Sequence, residues 1–347
     1  MSDAPASPDE HLARALAPFL DKAEAKVLLA VSGGPDSTAL MHAAARIDAA
    51  GRLRVATVDH GLRPGSAGEA AAVGRWAAEL GLAHTVLTWD APRRGSRIQA
   101  AARAARYSLL AGHAAEIGAE RVLTAHTLDD QAETVLMRLI AGSGPAGLAG
   151  MRRERPLAPG IRLARPFLGL PKSGLVTYCE VHRLPFLRDP SNADERFARA
   201  RLRRLLPLLE AEGLSAARLG RLAARAARDE AALTQRAQTV LSEIARPAEK
   251  SLALDGLRLL REPAAIALRV LDAALERVVP DGEATAPRRL ERLESLVLEA
   301  LLPALAEGRA LRRTLRGVLV EARAKGVVRL APAPPRGIAT GSGEDGR

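Results

Sequence analysis

The sequence predicts an α/β protein in which a parallel-sheet domain is followed by a smaller, α-rich C-terminal domain. Three observations support this prediction. The first half alternates short apolar segments with alanine-rich helical stretches, and from about residue 195 the chain has an almost continuous helical pattern. The length of 347 residues suits about two domains at roughly 150 residues each.

Four apolar segments of the first half are rich in β-branched residues and are predicted as strands, with helices between and after them. The strands are 26–31, 53–60, 83–89 and 121–125, and the helices are 37–47, 67–80, 98–117 and 129–140. Strand–helix–strand units at this spacing form right-handed crossovers and a parallel sheet that is covered on both faces. Ligands of such sheets bind beyond the carboxyl ends of the strands, so a functional site is expected there.

The remaining segments complete the predicted domain organisation. Residues 142–150 are too rich in glycine for a helix or a strand and are predicted as a loop, and Pro171 opens a further helix. The predicted domains are a lead-in helix within 1–24, a first domain at 25–213, an α-rich domain at 214–330 and a disordered tail at 331–347.

The composition excludes several classes of protein. Hydrophobic residues make up 48% and charged residues 26%, which is typical of a globular protein. The single cysteine, Cys179, excludes a disulfide scaffold, a cysteine-based zinc or iron–sulfur site and a CxxC redox pair. No apolar stretch approaches the roughly 18 residues of a membrane span, and no secretory signal opens the sequence. We therefore expect a cytoplasmic protein that does not cross a membrane.

The basic charge has two interpretations. There are 51 Lys and Arg residues against 40 Asp and Glu residues, and only five of the basic residues are lysines. An arginine-rich genome accounts for this, and so does a polyanionic partner, because arginine binds phosphate in a bidentate manner. With eight aromatic residues in the chain, a stacking platform for bases is not expected, so RNA binding would depend on phosphate contacts and on salt.

The strongest local signal is the loop Ser32-Gly33-Gly34-Pro35-Asp36-Ser37-Thr38, which lies between the first predicted strand and the first predicted helix of the sheet domain. Two glycines leave backbone N–H groups open to an anion, and the helix behind them adds the positive end of its dipole. A carboxylate in such a loop repels phosphate unless a metal ion bridges the two, so Asp36 indicates a nucleotide with Mg²⁺. The alternative is a tight turn in which Asp36 or Ser37 caps the helix.

Two further segments follow predicted strands at the same edge. Asp59, His60 and Arg63 lie at the end of the second strand, and His126, Asp129 and Asp130 lie where the fourth strand passes into a helix. Acidic residues at a helix start also suit simple capping, but the shared sheet edge favours a functional role. An arginine-rich element at 196–204 is a candidate phosphate contact, with a solvated helix face as the alternative.

These motifs together resemble one known family. The loop matches SGGxDS, the signature of PP-loop ATP pyrophosphatases, and it lacks the lysine of the GxxxxGK[ST] loop. Within about residues 26–210 the sequence is similar to the tRNA(Ile)-lysidine synthase branch, on the strings SGGPDST, VDHGLR, RIQAAARAARY, TAHTLDDQAETVLMRLIAGSGPAGLAGM, RPFL and DPSN. Two positions depart from the family pattern: Ala200 stands where an Asn is usual, and Thr127 stands where a second His is common.

The resemblance implies an adenine nucleotide alpha hydrolase-like fold and a carbon–nitrogen ligase that converts ATP to AMP and diphosphate. ATP would adenylate the 2-oxygen of the wobble cytidine in an isoleucine tRNA with a CAU anticodon. Free L-lysine would then displace AMP and give lysidine, which changes codon reading from AUG to AUA and identity from Met to Ile. The implied cofactors are ATP and Mg²⁺. The C-terminal domain would contact tRNA, and a homodimer is a further expectation.

Expected roles follow residue by residue. The metal and diphosphate site is expected at Asp36, while His126 and Asp130 would orient the substrates and assist the attack. Nucleotide binding is expected at Ser32, Gly33, Gly34, Pro35, Asp36, Ser37, Asp59 and His60, and phosphate contact at Arg63, Arg199 and Arg203.

Three other functions are weighed against this one. A tRNA thiolase would need paired cysteines, which a chain with Cys179 alone lacks. A small-molecule PP-loop ligase would not be expected to carry GSGPAGL or an arginine-rich helical half. A non-catalytic tRNA-binding protein would not need Asp36, His126 and Asp130. Release of diphosphate that depends on tRNA and lysine would separate the last alternative from an enzyme.

Overall fold

The computed structural model describes residues 7–20, 25–48, 50–61, 65–89, 98–187, 198–248, 251–278, 290–323 and 325–334. The chain forms two compact units, Met1–Ala227 and Arg228–Arg347, and the division falls inside one long helix, Ala216–Ile244. The predicted boundary after residue 213 lies earlier in the chain, at the turn before this helix.

The first unit begins with helix α1 and then alternates strands with helices, as the sequence predicts. Its elements are α1 (Pro8–Leu20), β1 (Lys26–Ala30), α2 (Pro35–Ile47), β2 (Leu53–Asp59), α3 (Ser66–Glu79), β3 (Ala83–Thr88), α4 (Ile98–Glu116), β4 (Ala119–Leu123), α5 (Leu128–Ile140), α6 (Pro145–Leu148), β5 (Glu154–Ala158), β6 (Ile161–Ala164), α7 (Lys172–Val181), α8 (Ala198–Ala211) and α9 (Ala216–Ile244). The predicted loop at 142–150 contains one helical turn, α6.

Six strands form one sheet in the order β3-β2-β1-β4-β6-β5. All neighbouring pairs are parallel except β5 and β6, which form an antiparallel hairpin. The predicted parallel sheet is confirmed, while the hairpin was not predicted. Its turn is Pro159-Gly160, where Gly160 has a φ of 72°, a left-handed conformation that glycine adopts without strain.

Side chains of β1 point alternately to the two faces of the sheet, and both faces are buried. Leu29 packs with residues of α1, α2 and α7, among them Leu16, Leu40 and Tyr178. Its neighbour Leu28 belongs to the opposite face, where α4 covers the sheet. A strand that is buried on both faces has a continuous apolar sequence, and this is why KVLLAV predicts a strand.

A separate apolar cluster joins α5 to α8 and to the first part of α9. Val135 and Leu136 of α5 pack with Leu202 of α8 and with Leu219 and Ala223 of α9. This packing holds the start of α5 and the arginine-rich α8 in one assembly within the first unit.

The second unit combines helices with a five-stranded antiparallel sheet. The sequence analysis predicted its helices and did not predict its sheet. The strands are short, and β11 alternates buried Val328 and Leu330 with the exposed Val327 and Arg329, so its apolar signal is weak. Its elements after α9 are β7 (Ala245–Ala248), β8 (Ser251–Asp255), α10 (Gly256–Leu259), α11 (Ala264–Val278), α12 (Leu290–Glu294), a π-helical segment (Ser295–Leu301), α13 (Leu302–Ala306), β9 (Leu311–Leu315), β10 (Val318–Ala322) and β11 (Val327–Pro332), in the sheet order β7-β8-β11-β10-β9.

At both ends of the chain, the observed elements differ slightly from the predicted ranges. Helix α1 lies within the predicted lead-in segment, and its buried Leu12, Leu16 and Phe19 make it part of the core. Strand β11 includes Ala331 and Pro332, which the sequence analysis assigned to the tail. Residues 335–347 lie outside the described residues.

Candidate active site

The predicted site residues that the structure describes lie near one edge of the six-stranded sheet. Strand β1 is the point where the strand order reverses, with β2 on one side and β4 on the other. The loops that leave the carboxyl ends of such strands diverge and open a crevice, which is the usual ligand site of an open α/β sheet. The segments after β1, β2 and β4 carry Asp36, His60 and His126, respectively.

The loop after β1 is closed by hydrogen bonds around Ser37. The Ser32 N–H donates to Ser37 Oγ at 3.2 Å, and Ser37 Oγ donates to the Gly34 carbonyl at 3.0 Å. Gly34 is the N-cap of α2 and Pro35 follows it, with no capping bond from a side chain. The alternative interpretation, in which Asp36 or Ser37 caps the helix, is therefore not what the structure contains.

Gly33 is fixed by a second segment of the chain. Its φ is 84°, and its carbonyl accepts a hydrogen bond from the Leu187 N–H at 2.8 Å. The left-handed conformation favours glycine, and a Cβ added at Gly33 would lie 2.6 Å from Leu187 Cδ1, so the Leu187 side chain would have to move. The segment that ends at Leu187 therefore holds the loop in place at Gly33.

Asp36 lies at the start of α2 with one of its carboxylate oxygens unpaired. Oδ2 accepts a hydrogen bond from Lys172 Nζ at 3.0 Å. Oδ1 is buried and has no hydrogen-bond partner among the described residues. Burial raises the pKa of Asp36, Lys172 opposes this effect, and Asp130 and Asp129 add to it. An additional cation at Oδ1 would satisfy this carboxylate.

The residues around Asp36 fit a magnesium ion that takes most of its ligands from elsewhere. Within the described residues there is no group of three or more His, Cys, Asp or Glu side chains that could hold a metal. Mg²⁺ usually binds one or two carboxylates and completes its shell with substrate phosphates and water. The unpaired Oδ1 of Asp36 suits such a shared site, in which a nucleotide would supply the other ligands.

His126 follows β4 and is held by its neighbour Thr124. The Thr124 hydroxyl and His126 Nδ1 are 2.9 Å apart. Burial lowers the pKa of His126 to about 4; Asp130 opposes this effect, and the arginines Arg165, Arg103 and Arg199 add to it. The imidazole is therefore neutral at pH 7. When Nδ1 donates to Thr124, Nε2 keeps a lone pair that can accept a proton.

Asp130 serves as a helix cap in this structure. Its Oδ2 accepts hydrogen bonds from the N–H and the hydroxyl of Thr127, at 2.8 and 3.1 Å, and its own N–H donates to that hydroxyl. Together the two residues form a capping box at the start of α5. The capping alternative is thus present, and the predicted catalytic role of Asp130 stays a prediction. Its neighbour Asp129 accepts a hydrogen bond from the Lys172 N–H at 2.7 Å.

Asp59 and His60 end β2 and have local partners. Asp59 Oδ1 accepts a hydrogen bond from the Gly61 N–H at 2.9 Å. His60 Nε2 lies 3.0 Å from Arg106 Nη2 and its ring packs edge-on against Trp89, while its Nδ1 is buried without a partner among the described residues. Burial and the nearby arginine lower the pKa of His60. The structure does not describe Arg63.

The arginine-rich element has two different environments on α8. Arg203 pairs with Glu133 of α5, whereas Arg199 is half-buried and its charge acts on both His126 and Glu133. Arg201 and Arg204 are exposed on α8. The structure describes neither Arg196 nor the DPSN string. Ala200, one of the two departures from the family pattern, is buried with 7% of its surface exposed.

Two residues near the site, Lys172 and Arg165, were missed by the sequence analysis, whereas Glu133 was placed within reach of His126 and Asp130 and is a buried partner of Arg203. Lys172 contacts Asp36 and Asp129. Arg165 follows β6, is 3% exposed, and has a buried Nε without a partner in the described part of the chain. Arg165 opens the string RPFL, and Lys172 is a cation at a helix start, an unusual place for one. Both sequence contexts are recognisable, but neither indicates a functional residue until the fold is known.

Comparison with known families and structures agrees with this geometry. The PP-loop domain family matches residues 8–209. Among solved structures, the U34-tRNA thiolase NcsA from Methanococcus maripaludis with its 4Fe-4S cluster is similar, with a TM-score of 0.53 at 16% identity over 64% of this chain and 77% of that one. At this identity the likeness concerns the fold alone. The chain thus contains a PP-loop domain, and such a domain supports the use of ATP.

Relatives that align over more than 90% of both chains identify the family within the PP-loop class. A tRNA(Ile)-lysidine synthase from Methylobacterium nodulans is 54% identical over 330 residues, which cover 94% of this chain and 96% of that protein. The synthases of Methylobacterium sp. (strain 4-46) and Rhodopseudomonas palustris are 55% and 47% identical, and each alignment covers more than 90% of both chains. The chain belongs to the tRNA(Ile)-lysidine synthase family. In the part of the chain that is described, no helix combines the length and the hydropathy needed to cross a membrane.

Proposed function

We propose that this protein ligates lysine to the wobble cytidine of an isoleucine tRNA with a CAU anticodon, at the expense of ATP. Two observations support the proposal. The chain belongs to the tRNA(Ile)-lysidine synthase family, and the loop Ser32–Ser37 contains Asp36, whose carboxylate has a buried oxygen without a hydrogen-bond partner among the described residues. The second observation supports the proposed reaction most directly, because it indicates where a nucleotide and its cation would bind.

The proposed first step is adenylation of the base. The 2-oxygen of cytidine attacks the α-phosphorus of ATP, and the bond from that phosphorus to the departing diphosphate breaks. The loop at Gly33 and Gly34 and the start of α2 would hold the phosphates through backbone N–H groups. Mg²⁺, held at Asp36 and on the phosphates, would neutralise their charge. The resulting adenylate turns a poor leaving oxygen into a good one.

The second proposed step joins lysine to the base. The neutral ε-amine attacks C2, the C2–O bond breaks, AMP leaves, and the amine gives up a proton. His126 is the proposed proton acceptor because Thr124 orients it and it is unprotonated near pH 7. Its pKa of about 4 makes it a weak base, so it would take the proton only as the C–N bond forms and the amine becomes acidic. Asp130 would act through the start of α5, whose cap it forms, and through its charge on His126 and Asp36.

Of the predicted phosphate contacts on α8, the described structure favours Arg199 over Arg203. Arg199 is the stronger candidate on α8, since it is half-buried and its charge acts on His126 and Glu133 near the sheet edge. Arg203 already pairs with Glu133, so its proposed role is to position α8 as well as to add positive charge. Arg63 stays a proposal from the sequence. The single cysteine and a tRNA substrate support a cytoplasmic location, and a homodimer is a prediction that light scattering would test.

The experiment combines purified protein, ATP, Mg²⁺, radiolabelled L-lysine and an isoleucine tRNA transcript with a CAU anticodon. We expect label to enter the RNA in the complete mixture and to be absent when ATP is omitted or when the transcript carries a CAC anticodon. The Asp36→Asn variant, which is close to isosteric, serves as the catalytic control. Label that enters the RNA without ATP, or none with the full mixture, would overturn the proposal.

A further inference from the structure

Lys172 links the two segments that carry the acidic residues of the site. Its Nζ donates to Asp36 Oδ2 at 3.0 Å, and its backbone N–H donates to Asp129 Oδ2 at 2.7 Å. It is the first residue of α7, so one residue joins the starts of α2, α5 and α7. Sequence motifs did not single it out, and the proposed reaction does not use it.

The position of Lys172 is not explained by the stability of its own helix. The N-terminus of α7 carries the positive end of a helix dipole, where a cation is unfavourable. The ion pair with Asp36 is partly exposed, with 46% of the Lys172 side chain accessible, so it contributes little to stability. Breaking such a pair costs little free energy. A flexible, singly charged side chain of this kind is suited to exchanging one anionic partner for another.

The charges around Asp36 explain what Lys172 does before a nucleotide binds. Asp36, Asp129 and Asp130 are close enough for the last two to raise the pKa of the first, and Lys172 opposes them. Without a cation, three carboxylates at one edge of the sheet would repel one another and also repel a triphosphate. Lys172, a monovalent cation on Oδ2, therefore supplies part of the charge neutralisation that the proposed divalent cation would provide from Oδ1.

A divalent ion at Asp36 Oδ1 would place a second positive charge close to the Lys172 ammonium group on Oδ2. A divalent ion on Asp36 would repel the ammonium group of Lys172, and the nearest new anions would be the phosphates held by the loop after β1. From this geometry we infer that Lys172 is an exchanging cation: it neutralises Asp36 in the nucleotide-free protein and moves to the phosphates of bound ATP. There it stays protonated and stabilises the charge that builds on the departing diphosphate. This inference rests on the proposed use of ATP.

The inference predicts opposite changes in two affinities for one substitution. Lys172→Met should tighten the binding of Mn²⁺ alone, measured by electron paramagnetic resonance, by about tenfold, because Asp36 loses a competing cation. The same substitution should weaken binding of Mg²⁺–ATP, measured by equilibrium dialysis without tRNA or lysine, by about tenfold or more, the loss of one charge-assisted hydrogen bond. A residue that merely supports the fold would weaken both affinities.

Matched variants make the outcome decisive. Lys26→Met removes an exposed lysine from the opposite end of β1 and should change neither affinity. Lys172→Arg keeps the charge and should retain most of the affinity for Mg²⁺–ATP. In an Asp36→Asn background, Lys172→Met should no longer tighten Mn²⁺ binding. Circular dichroism shows whether each variant is folded, and Lys172→Gln replaces Lys172→Met if that variant is not.

Each result bears on the inference. Opposite shifts that require Asp36 support it. Shifts of the same sign, no shift in either affinity, or no tighter Mn²⁺ binding in the methionine variant overturn it. Failure of the wild-type protein to bind Mg²⁺–ATP would instead overturn the proposed function, so the two failures can be told apart.

Discussion

Arg203 of α8 forms an ion pair with the buried carboxylate of Glu133 on α5. Arg203 Nε lies 2.5 Å from Glu133 Oε1, and Nη2 lies 3.4 Å from Oε2. Glu133 is 3% exposed, so this pair is the polar complement of the apolar contacts between the two helices. It fixes the arginine-rich helix beside the segment that carries His126.

The first prediction concerns this pair. Arg203→Met leaves a buried carboxylate without its charged partner, and we expect it to lower the free energy of unfolding by about 1–3 kcal/mol at pH 7.5, measured with urea. Burial raises the pKa of Glu133, and Arg203 opposes this effect. Without Arg203 the pKa rises further, so the folded variant binds a proton that the unfolded chain releases, and its stability falls as the pH rises from 5 to 7.5.

The control is the double variant Glu133→Gln with Arg203→Met, which carries no buried charge. It should recover part of the lost stability at pH 7.5 and lose the additional pH dependence. An equal loss for Arg203→Met at both pH values would show that the carboxylate is not the cause.

The second prediction compares the two adjacent glycines of the loop. Gly33→Ala should destabilise the protein by about 1–2 kcal/mol, because alanine is strained at a positive φ, and it should also weaken ATP binding because the added methyl group displaces Leu187. In Gly34→Ala the added Cβ meets no atom closer than 4.0 Å and the φ is −71°, so stability should change little. Equal effects of the two substitutions on stability would contradict the described loop.

The third prediction concerns the protonation of His126. Burial lowers its pKa to about 4, whereas in the unfolded chain the value is the ordinary one near 6.5. Between these values the unfolded state binds more protons, so His126 makes the fold less stable as the pH falls from 6.5 toward 4. We expect an NMR titration of the His126 ring to have its midpoint near 4. His126→Gln should remove this contribution, and a midpoint near 6.5 would contradict the buried, neutral imidazole.

The fourth prediction concerns tRNA affinity. With few aromatic residues and an excess of arginine, binding should depend on phosphate contacts, and log Kd should rise steeply with log salt concentration. Arg199→Ala should weaken binding and lower the magnitude of the salt slope by about 1, as expected for one lost phosphate contact. Arg54→Ala, at the start of β2, is the matched control and should leave the slope unchanged. A flat salt response would exclude the phosphate-contact account.

The sheet domain could be predicted because its central strands are largely buried and the first of them is followed by a glycine-containing loop. Strand β1 and the Ser32–Ser37 loop illustrate this, since their sequence is nearly all apolar and then nearly all glycine and hydroxyl residues. The antiparallel sheet of the second unit was missed because residues such as Arg313 and Arg329 interrupt short strands, and the same letters suit an exposed helix.

Part of the site depends on contacts between residues that are distant in sequence. Lys172 contacts Asp36 across 136 positions, and Arg203 contacts Glu133 across 70. No local pattern specifies either pair, because one depends on how α7 packs against α2 and the other on how α8 packs against α5. The sequence likewise could not separate capping from catalysis at Asp130, since a capping box and a functional carboxylate use the same residue types.

If the loop at Ser32–Ser37 binds ATP as proposed, AMP and not ADP is the nucleotide product. The fifth prediction follows this product: ATP labelled at the α-phosphorus is incubated with the protein, the CAU isoleucine tRNA and lysine, and the nucleotides are separated. We expect one AMP for each lysine that enters the RNA, and almost none with Asp36→Ala, although that variant stays folded by circular dichroism. Accumulation of ADP, or near-normal formation of AMP by the Asp36→Ala variant, would contradict the account.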